Sequence, residues 1–358
     1  MTIIHAYIGS AEFDVLVGPL AEAGSRLASL APDQALPLVT DQRIHELYGE
    51  RIRAIVPVDS ILIPIGETAK SWDVLANLLE HFTRMGVRRD TPILALGGGS
   101  VGDVVGLAAS LFKRGCPIIH IPTTLLAQAD SAIGGKTAID WQGQKNLVGT
   151  FHQPSLVIVD PAFLQTLDAR QFRAGYAEVV KYGLIDDPTF FEWCEANGAA
   201  LIAGDQDLRQ IAIEHCIKAK LGFVTNDVDD RSGVRALLNL GHSFGHAVES
   251  VAGPSAIHHG EAVAIGLGLA FGFSVRLGLC PSDDEVRVRA HLASIGLPTR
   301  LKEIGLANAV PALLDSIRLD KKAGSEGISL ILARGIGRAE IFRGVDQRRL
   351  AEYLDQAA

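Results

Sequence analysis

The chain has 358 residues, 48% of them hydrophobic and 21% charged, with a formal net charge of -8 at pH 7. That is enough chain for two domains and large cores. The acidic balance excludes a nucleic-acid binder as the reading of the whole chain, so any anion site has to be a local cluster of bases.

Residues 1 to about 35 alternate polar and apolar (AYIGS, FDVLVG) and then turn helical through Leu20 to Leu30. The pattern predicts a hairpin and a helix. Leu36 to Thr40, LPLVT, reads as a buried strand ending at Asp41. An acid just past a strand suits ribose hydroxyls, and it equally suits a helix N-cap. Ser60 to Ile65 is another strand, running into Gly66, Glu67, Thr68, Ala69 and Lys70 and a helix to about Gly86. Pro92 to Leu96 is a strand that meets GGGSVGD, Gly97 to Asp103, ahead of a helix to about Lys113. Strand, glycine loop and helix together set backbone N–H groups against a pyrophosphate. Gly97, Gly99 and Gly102 fit G-x-G-x-x-G, but the acid expected about 20 residues later is missing. The ribose acid would then come from upstream, at Asp41, in a Rossmann-like domain with altered wiring.

Pro117 to Pro122 is a further strand, with Thr123 and Thr124 at its end, where open α/β sheets bind ligands. A polar, glycine-rich loop follows, carrying Asp130, Lys136, Lys145 and Asn146. Glycine-flanked lysines suit phosphate or carboxylate; a solvated loop is the other reading. Leu156 to Val159 ends the sheet. From about Arg173 to Arg318 the pattern is amphipathic helix with almost no strand signal, and one strand, Ile328 to Leu332, returns before a C-terminal helix. The expectation is an α/β nucleotide-binding domain over 1–170, then a mainly helical metal- and substrate-binding domain over 171–358, with the ligand in the cleft between.

Ala262 to Val275 is too short and too glycine-rich for a membrane span and reads as a buried helix. Cys116, Cys194, Cys216 and Cys280 show no Cys-x-x-Cys spacing, and the N-terminus has no basic region followed by an apolar run. Both point to a cytoplasmic protein with reduced core thiols.

The densest chemistry lies in LLNLGHSFGHAVESVAGPSAIHHGE, Leu237 to Glu261. His242 and His246 are four apart and share a helix face. A second pair, His258 and His259, comes one loop later, directly before Gly260. A catalytic zinc takes three protein ligands and keeps one position open. Two histidines from this stretch would need one more ligand, and Glu178 in GYAEVVKYG is the candidate. Such a His-x-x-x-His pair is also compatible with two ordinary histidines.

Taken together, GGGSVGD, PTTLLAQADSAIGGKT, KNLVGTFHQP, FRAGYAEVVKYGLI, RALLNLGHSFGHAVE, HGEAVAIG and LDKK resemble the 3-dehydroquinate synthase family over nearly the whole chain. The resemblance implies NAD in the first domain and one divalent ion, zinc or cobalt, held by Glu178, His242 and His259 in the second. His259 is preferred to His258 because the family ligand directly precedes Gly-Glu. NAD contacts are implied at Asp41, Glu67, Lys70, Gly99, Ser100, Val101, Gly102, Asp103, Thr123, Thr124, Phe163, Leu164, Gln165 and Thr166. Lys136 and Lys145 fall where cofactor and substrate meet. Substrate residues are implied at Asp130, Asn146, Lys181, Arg235, Asn239, His246 and one of Lys321 or Lys322. Arg114 matches a residue that the family extends across a homodimer.

One segment departs from the family. Arg231 stands where an acid is usual, and extra residues before Arg235 shift the register, so the family's lysine and acid fall at Lys218 and Asp230. The implied reaction converts 3-deoxy-D-arabino-heptulosonate 7-phosphate to 3-dehydroquinate and phosphate by transient oxidation, elimination, reduction and aldol closure. The rivals are another sugar phosphate cyclase, a polyol oxidoreductase resembling glycerol dehydrogenase, and a non-catalytic relative.

Overall fold

The computed structural model describes residues 1–30, 35–230, 233–253, 256–321 and 328–358, with only the backbone at 320 and 321. The chain divides into two compact units. One is Met1–Leu167 with Arg209–Asp229; the other is Asp168–Leu208 with Asp230–Ala358.

The first unit is built on β1 (Thr2–Ile8), β2 (Ala11–Val17), β3 (Leu36–Asp41), β4 (Val58–Ile63), β5 (Ile93–Gly97), β6 (Ile118–Pro122), β7 (Lys136–Trp141), β8 (Gln144–Phe151) and β9 (Leu156–Val159). Seven of these form one sheet in the order β1-β2-β9-β6-β5-β3-β4. Only the β1–β2 pairing in it is antiparallel. Helices α1 (Leu20–Ser29), α2 (Trp72–Arg84) and α3 (Gly99–Leu111) cover it. Successive strand residues feed opposite faces. Leu38, Leu94 and Ile119 join Leu20 and Leu27 of α1 in one core. Val39, Ala95 and Ile118 join Leu78 of α2 and Val105 of α3 in the other. A parallel sheet covered on both faces needs continuous apolar runs, which is what LPLVT, PILAL and LVIV supply.

The second unit holds α4 (Ala169–Ile185), α5 (Pro188–Ala203), the start of α6 (Gln206–Asn226), α7 (His242–Ala252), α8 (His259–Arg276), α9 (Ser282–Ser294), α10 (Val310–Lys321) and α11 (Gln347–Ala357). It also holds a two-stranded sheet, β10 (Leu330–Ala333) with β11 (Ala339–Phe342). Helix α8 is its axis, buried at every position from Gly260 to Ser274. The Ser274 hydroxyl donates to Ala270 O at 2.7 Å and accepts from Ala333 N at 3.0 Å, tying β10 to this helix.

The structure differs from the sequence expectation in three places. The glycine-rich stretch expected as a loop is the β7–β8 hairpin, closed by Gln142 and Gly143 at φ 49° and 77°. Two positive-φ residues are what a two-residue hairpin turn needs. The C-terminal part has two strands instead of one, because β10 requires a partner and β11 provides it. Most of α6 belongs to the first unit, so the second is not one continuous run from residue 171. Within the first unit, Thr225 donates to Tyr7 O at 3.0 Å. All four cysteines are buried and free.

Candidate active site

The histidine pairs owe their places to two close helix approaches. The first residue of α8 is His259, and Gly260 follows it. A Cβ on Gly260 would sit 1.7 Å from Ala174 O of α4. Glu178 lies one helical turn after Ala174, on the same face, so the glycine contact brings His259 against Glu178. Gly266 repeats the device one turn and a half further along α8: its Cβ would sit 2.0 Å from Gly241 O, at the start of α7. That contact brings His242, the first residue of α7, to the same point.

The outcome is a three-residue cluster. Glu178 Oε1 lies 3.4 Å from His242 Nε2 and 3.4 Å from His259 Nε2. A tetrahedral zinc with bonds of about 2.0–2.1 Å separates its ligand atoms by about 3.4 Å. Neither buried oxygen of Glu178 accepts a well-formed hydrogen bond, although Lys181 Nζ lies 2.5 Å from Oε2. Carboxylate oxygens kept out of water need compensation, and a cation between the three ligand atoms supplies it. The residues therefore fit a divalent ion.

The electrostatics match. Burial works against the charged form of Glu178, but Lys181 and then His242 and His259 outweigh it and hold the carboxyl well below its usual range. Burial dominates at His242 and lowers it despite Glu178. At His259 burial is outweighed by the neighbouring Glu178 and Glu249 carboxylates, and the imidazole is raised to about 10. Of the second histidine pair, it is thus His259 that faces the carboxylate. His258 caps α8, its N–H donating to Glu261 Oε2 at 3.0 Å. Arg170 grips both oxygens of Glu261 at 2.7 and 2.8 Å.

His246 projects beside the cluster, its ring centroid 5.5 Å from that of His242, and it is exposed. Arg235 is fully buried and Asn239 half-buried on one short 3-10 turn, residues 235–239, just before α7. Lys322 lies outside the described residues, as do Arg231 and the side chain of Lys321.

In the first unit the glycine loop is the first turn of α3, with Gly98 as its N-cap. A Cβ on Gly98 would lie 3.1 Å from Thr124 Cγ2, and one on Gly99 3.1 Å from Ser131 Oγ. A small cavity there is lined by Gly97, Gly98, Gly99, Gly102, His120 and Ser131. The Thr123 hydroxyl, nearby at the end of β6, is buried without a hydrogen-bond partner. A narrow backbone cradle at a helix N-terminus with an orphaned hydroxyl fits a dinucleotide pyrophosphate.

Several expected cofactor residues form one network. Lys70 Nζ reaches Asp103 Oδ2 at 2.8 Å and also donates to Asn146 Oδ1. Ser100 donates to Glu67 Oε1 at 3.0 Å. Burial pulls Lys70 down, but Asp103 and Glu67 overcome it and hold the ammonium above its ordinary value. Burial raises Asp103 in spite of Lys70. Asp41 fills the N-cap role, accepting from Ile44 N at 2.9 Å. The side chains of Val101, Phe163 and Leu164 are core, so only their backbone can meet a cofactor. Gln165 and Thr166 complete that 3-10 turn. Lys136, Lys145 and Arg114 are exposed.

One assignment is corrected. Lys218 is 59% exposed and pairs with Glu214 at 3.7 Å. Lys220 is the buried lysine of this helix, reaching Asp130 Oδ2 at 3.0 Å and Asp130 O at 2.8 Å. Two residues along a helix turn the side chain by about 200°, so the shifted register picked the solvent face. Sequence reasoning also passed over Glu249 and the Arg170–Glu261 pair. For Glu249 the signal was there: it stands seven residues after His242, on the same helix face.

The comparisons with known proteins identify the family. The 3-dehydroquinate synthase N-terminal family model matches residues 60–174, and the C-terminal model matches residues 175–323. A 3-dehydroquinate synthase of Zymomonas mobilis is 48% identical, over 98% of this chain and 93% of its own. A solved 2-epi-5-epi-valiolone synthase from Streptomyces hygroscopicus, with NAD+ and Zn2+ bound, superposes with a TM-score of 0.88 at 32% identity, covering 98% of each chain. A 2-deoxy-scyllo-inosose synthase with carbaglucose-6-phosphate, NAD+ and Co2+ gives 0.86 at 27% identity over all of both chains.

Proposed function

The chain belongs to the 3-dehydroquinate synthase family, and from that premise we propose that it converts 3-deoxy-D-arabino-heptulosonate 7-phosphate to 3-dehydroquinate and phosphate. It is then a carbon–oxygen lyase of aromatic amino acid biosynthesis. The observation that carries this reading is the Glu178–His242–His259 cluster, with Glu178 Oε1 3.4 Å from each imidazole Nε2 and all three ligand atoms within 4.8 Å of one another. The first unit holds NAD at its glycine cradle, and the second holds zinc or cobalt. When bound, NAD supplies a reversible hydride acceptor and the ion a Lewis acid.

The rest falls to the chain's own residues. Lys181 keeps Glu178 ionised, so the carboxylate is ready as a ligand without waiting to lose a proton. The exposed imidazole of His246 takes up the proton of the substrate hydroxyl that is oxidised, and returns it on reduction. Lys145 and Asn146 of the first unit, and Arg235 with Lys321 or Lys322 of the second, are the groups assigned to the phosphate and carboxylate ends of the sugar acid. Lys220 fixes Asp130, one of the expected substrate residues. Elimination and ring closure then need little beyond a held conformation. Asn239 and His246 favour dehydroquinate over the products of other cyclases, where other residues are expected.

The same reading makes the enzyme a cytoplasmic homodimer, with Arg114 reaching towards the neighbouring site. No described helix is long and apolar enough to cross a membrane. The test is a phosphate-release assay with the heptulosonate phosphate. Phosphate appears in step with substrate loss, chelator or NAD removal stops it, and reduced cofactor does not accumulate. Steady accumulation of NADH without phosphate release would replace this reading with a polyol dehydrogenase.

A further inference from the structure

We propose that Glu249 is a positioning residue for His259, fixing its ring so that Nε2 faces Glu178 and His242. The proposal rests on the metal reading above. Glu249 is 8% exposed and projects from α7 on the face that carries His242 and His246. Its Oε2 lies 3.1 Å from His259 Nδ1. A carboxylate only accepts, so Nδ1 carries the proton and Nε2 is the nitrogen left to a cation. That nitrogen is the one 3.4 Å from Glu178 Oε1.

The two imidazoles are fixed by different means. His242 Nδ1 lies 3.2 Å from Leu240 O, a backbone acceptor that no substitution removes. His259 depends on a side chain from another helix. Its partner is also charged, and a carboxylate behind an imidazole makes the ring a stronger ligand.

His246, Glu249 and His259 bring ligand atoms within 4.8 Å of one another as well. A cation held there through His259 Nδ1 would have to strip its proton and break the hydrogen bond to Glu249, and one held through Nε2 would compete with the first cluster for the same atom. One ring presenting Nε2 to the first cluster and Nδ1–H to Glu249 satisfies both groups, so the second trio supports the first ion and does not bind its own.

The experiment is a Co2+ titration of the metal-free protein, followed by visible absorption and by calorimetry, with circular dichroism of the same samples to confirm the fold. Losing such a partner weakens metal binding by about tenfold to a hundredfold, and that loss is expected for Glu249→Ala. Glu249→Gln keeps an acceptor within reach of Nδ1 and retains affinity within a few-fold of the parent. Should Glu249→Ala fail to fold, Glu249→Asp, one methylene short, carries the same expectation of at least tenfold loss. Parental affinity in the shortened or truncated variant overturns the proposal, as does equal loss in Glu249→Gln and Glu249→Ala. Glu178→Ala in the same titration tests the metal reading separately: undiminished Co2+ binding there removes the site itself, whatever Glu249 does.

Discussion

His259 and His120 show how differently the two units use the same side chain. Around His259, two carboxylates overcome burial and hold the imidazole up at about 10. His120, on β6 beneath the glycine cradle, meets burial first and then the like charge of His152, and is pushed down to about 4. The second unit gathers negative charge at a point where side-chain donors converge. The first keeps a neutral floor under a turn whose useful groups are backbone N–H. One site is made by what its side chains are, the other by what its glycines lack.

That contrast can be broken most forcefully at Glu178. Glu178→Ala removes the one carboxylate of the proposed ligand set, and a Lewis acid worth several kcal/mol corresponds to a fall in kcat/KM of about three orders of magnitude or more. That carboxylate also lies 2.5 Å from the buried Lys181 ammonium, so metal-free stability in urea melts falls as well. Cofactor binding, measured by NAD fluorescence quenching, stays near the parental value.

The next largest effect belongs to His120. Its folded value lies below that of the unfolded chain, so the neutral ring contributes stability that is fully present above about 6.5. That contribution is lost as the pH falls towards 4, to a total of about 3 kcal/mol. Urea midpoints taken from pH 7.5 to 4.5 show this decline in the parent, and His120→Gln flattens it. An unchanged slope would show that the floor of the cradle is not what titrates.

Gly260→Ala sharpens the comparison from the other side. Its methyl would overlap Ala174 O, and overpacking of this kind costs about 1–3 kcal/mol. Because the strain lies where α8 meets α4, Co2+ affinity falls along with the melting temperature. Gly98→Ala is the smallest change. Its methyl crowds Thr124 and the approach to the first N–H groups of α3, and one hydrogen bond of about 1 kcal/mol corresponds to a roughly fivefold to tenfold rise in KM for NAD. Metal binding is expected to be unaffected by it.

Burial also governs the thiols. It drives Cys194 and Cys280 up to about 12, in keeping with the reduced core thiols expected from their spacing.

Much of this was legible in the residues. Strands buried on both faces announce themselves as apolar runs, and the motifs around Gly97, Glu178, His242 and His259 carried the family and with it a candidate ligand set. What escaped were features whose signal is relative. The β7–β8 hairpin was hidden because its strands are polar and glycine-bearing, and pairing rather than hydrophobicity defines them. Lys218 was chosen over Lys220 because a register shift of two leaves the local sequence looking the same while turning the side chain to the opposite face. Glu249 was passed over because an acid at helical spacing looks like a solvated residue until something is found behind it.

The sequence by itself determined the two kinds of domain and the family, since these depend on residue type and on patterns within one element, and through the family it named three candidate metal ligands. Only the tertiary structure decided which lysine of α6 faces Asp130, that Gly260 and Gly266 draw three helices to a common point, and that a carboxylate stands behind His259. Each of those depends on a distance between residues far apart in the chain, set by how closely backbones pack, and no local pattern encodes such a distance.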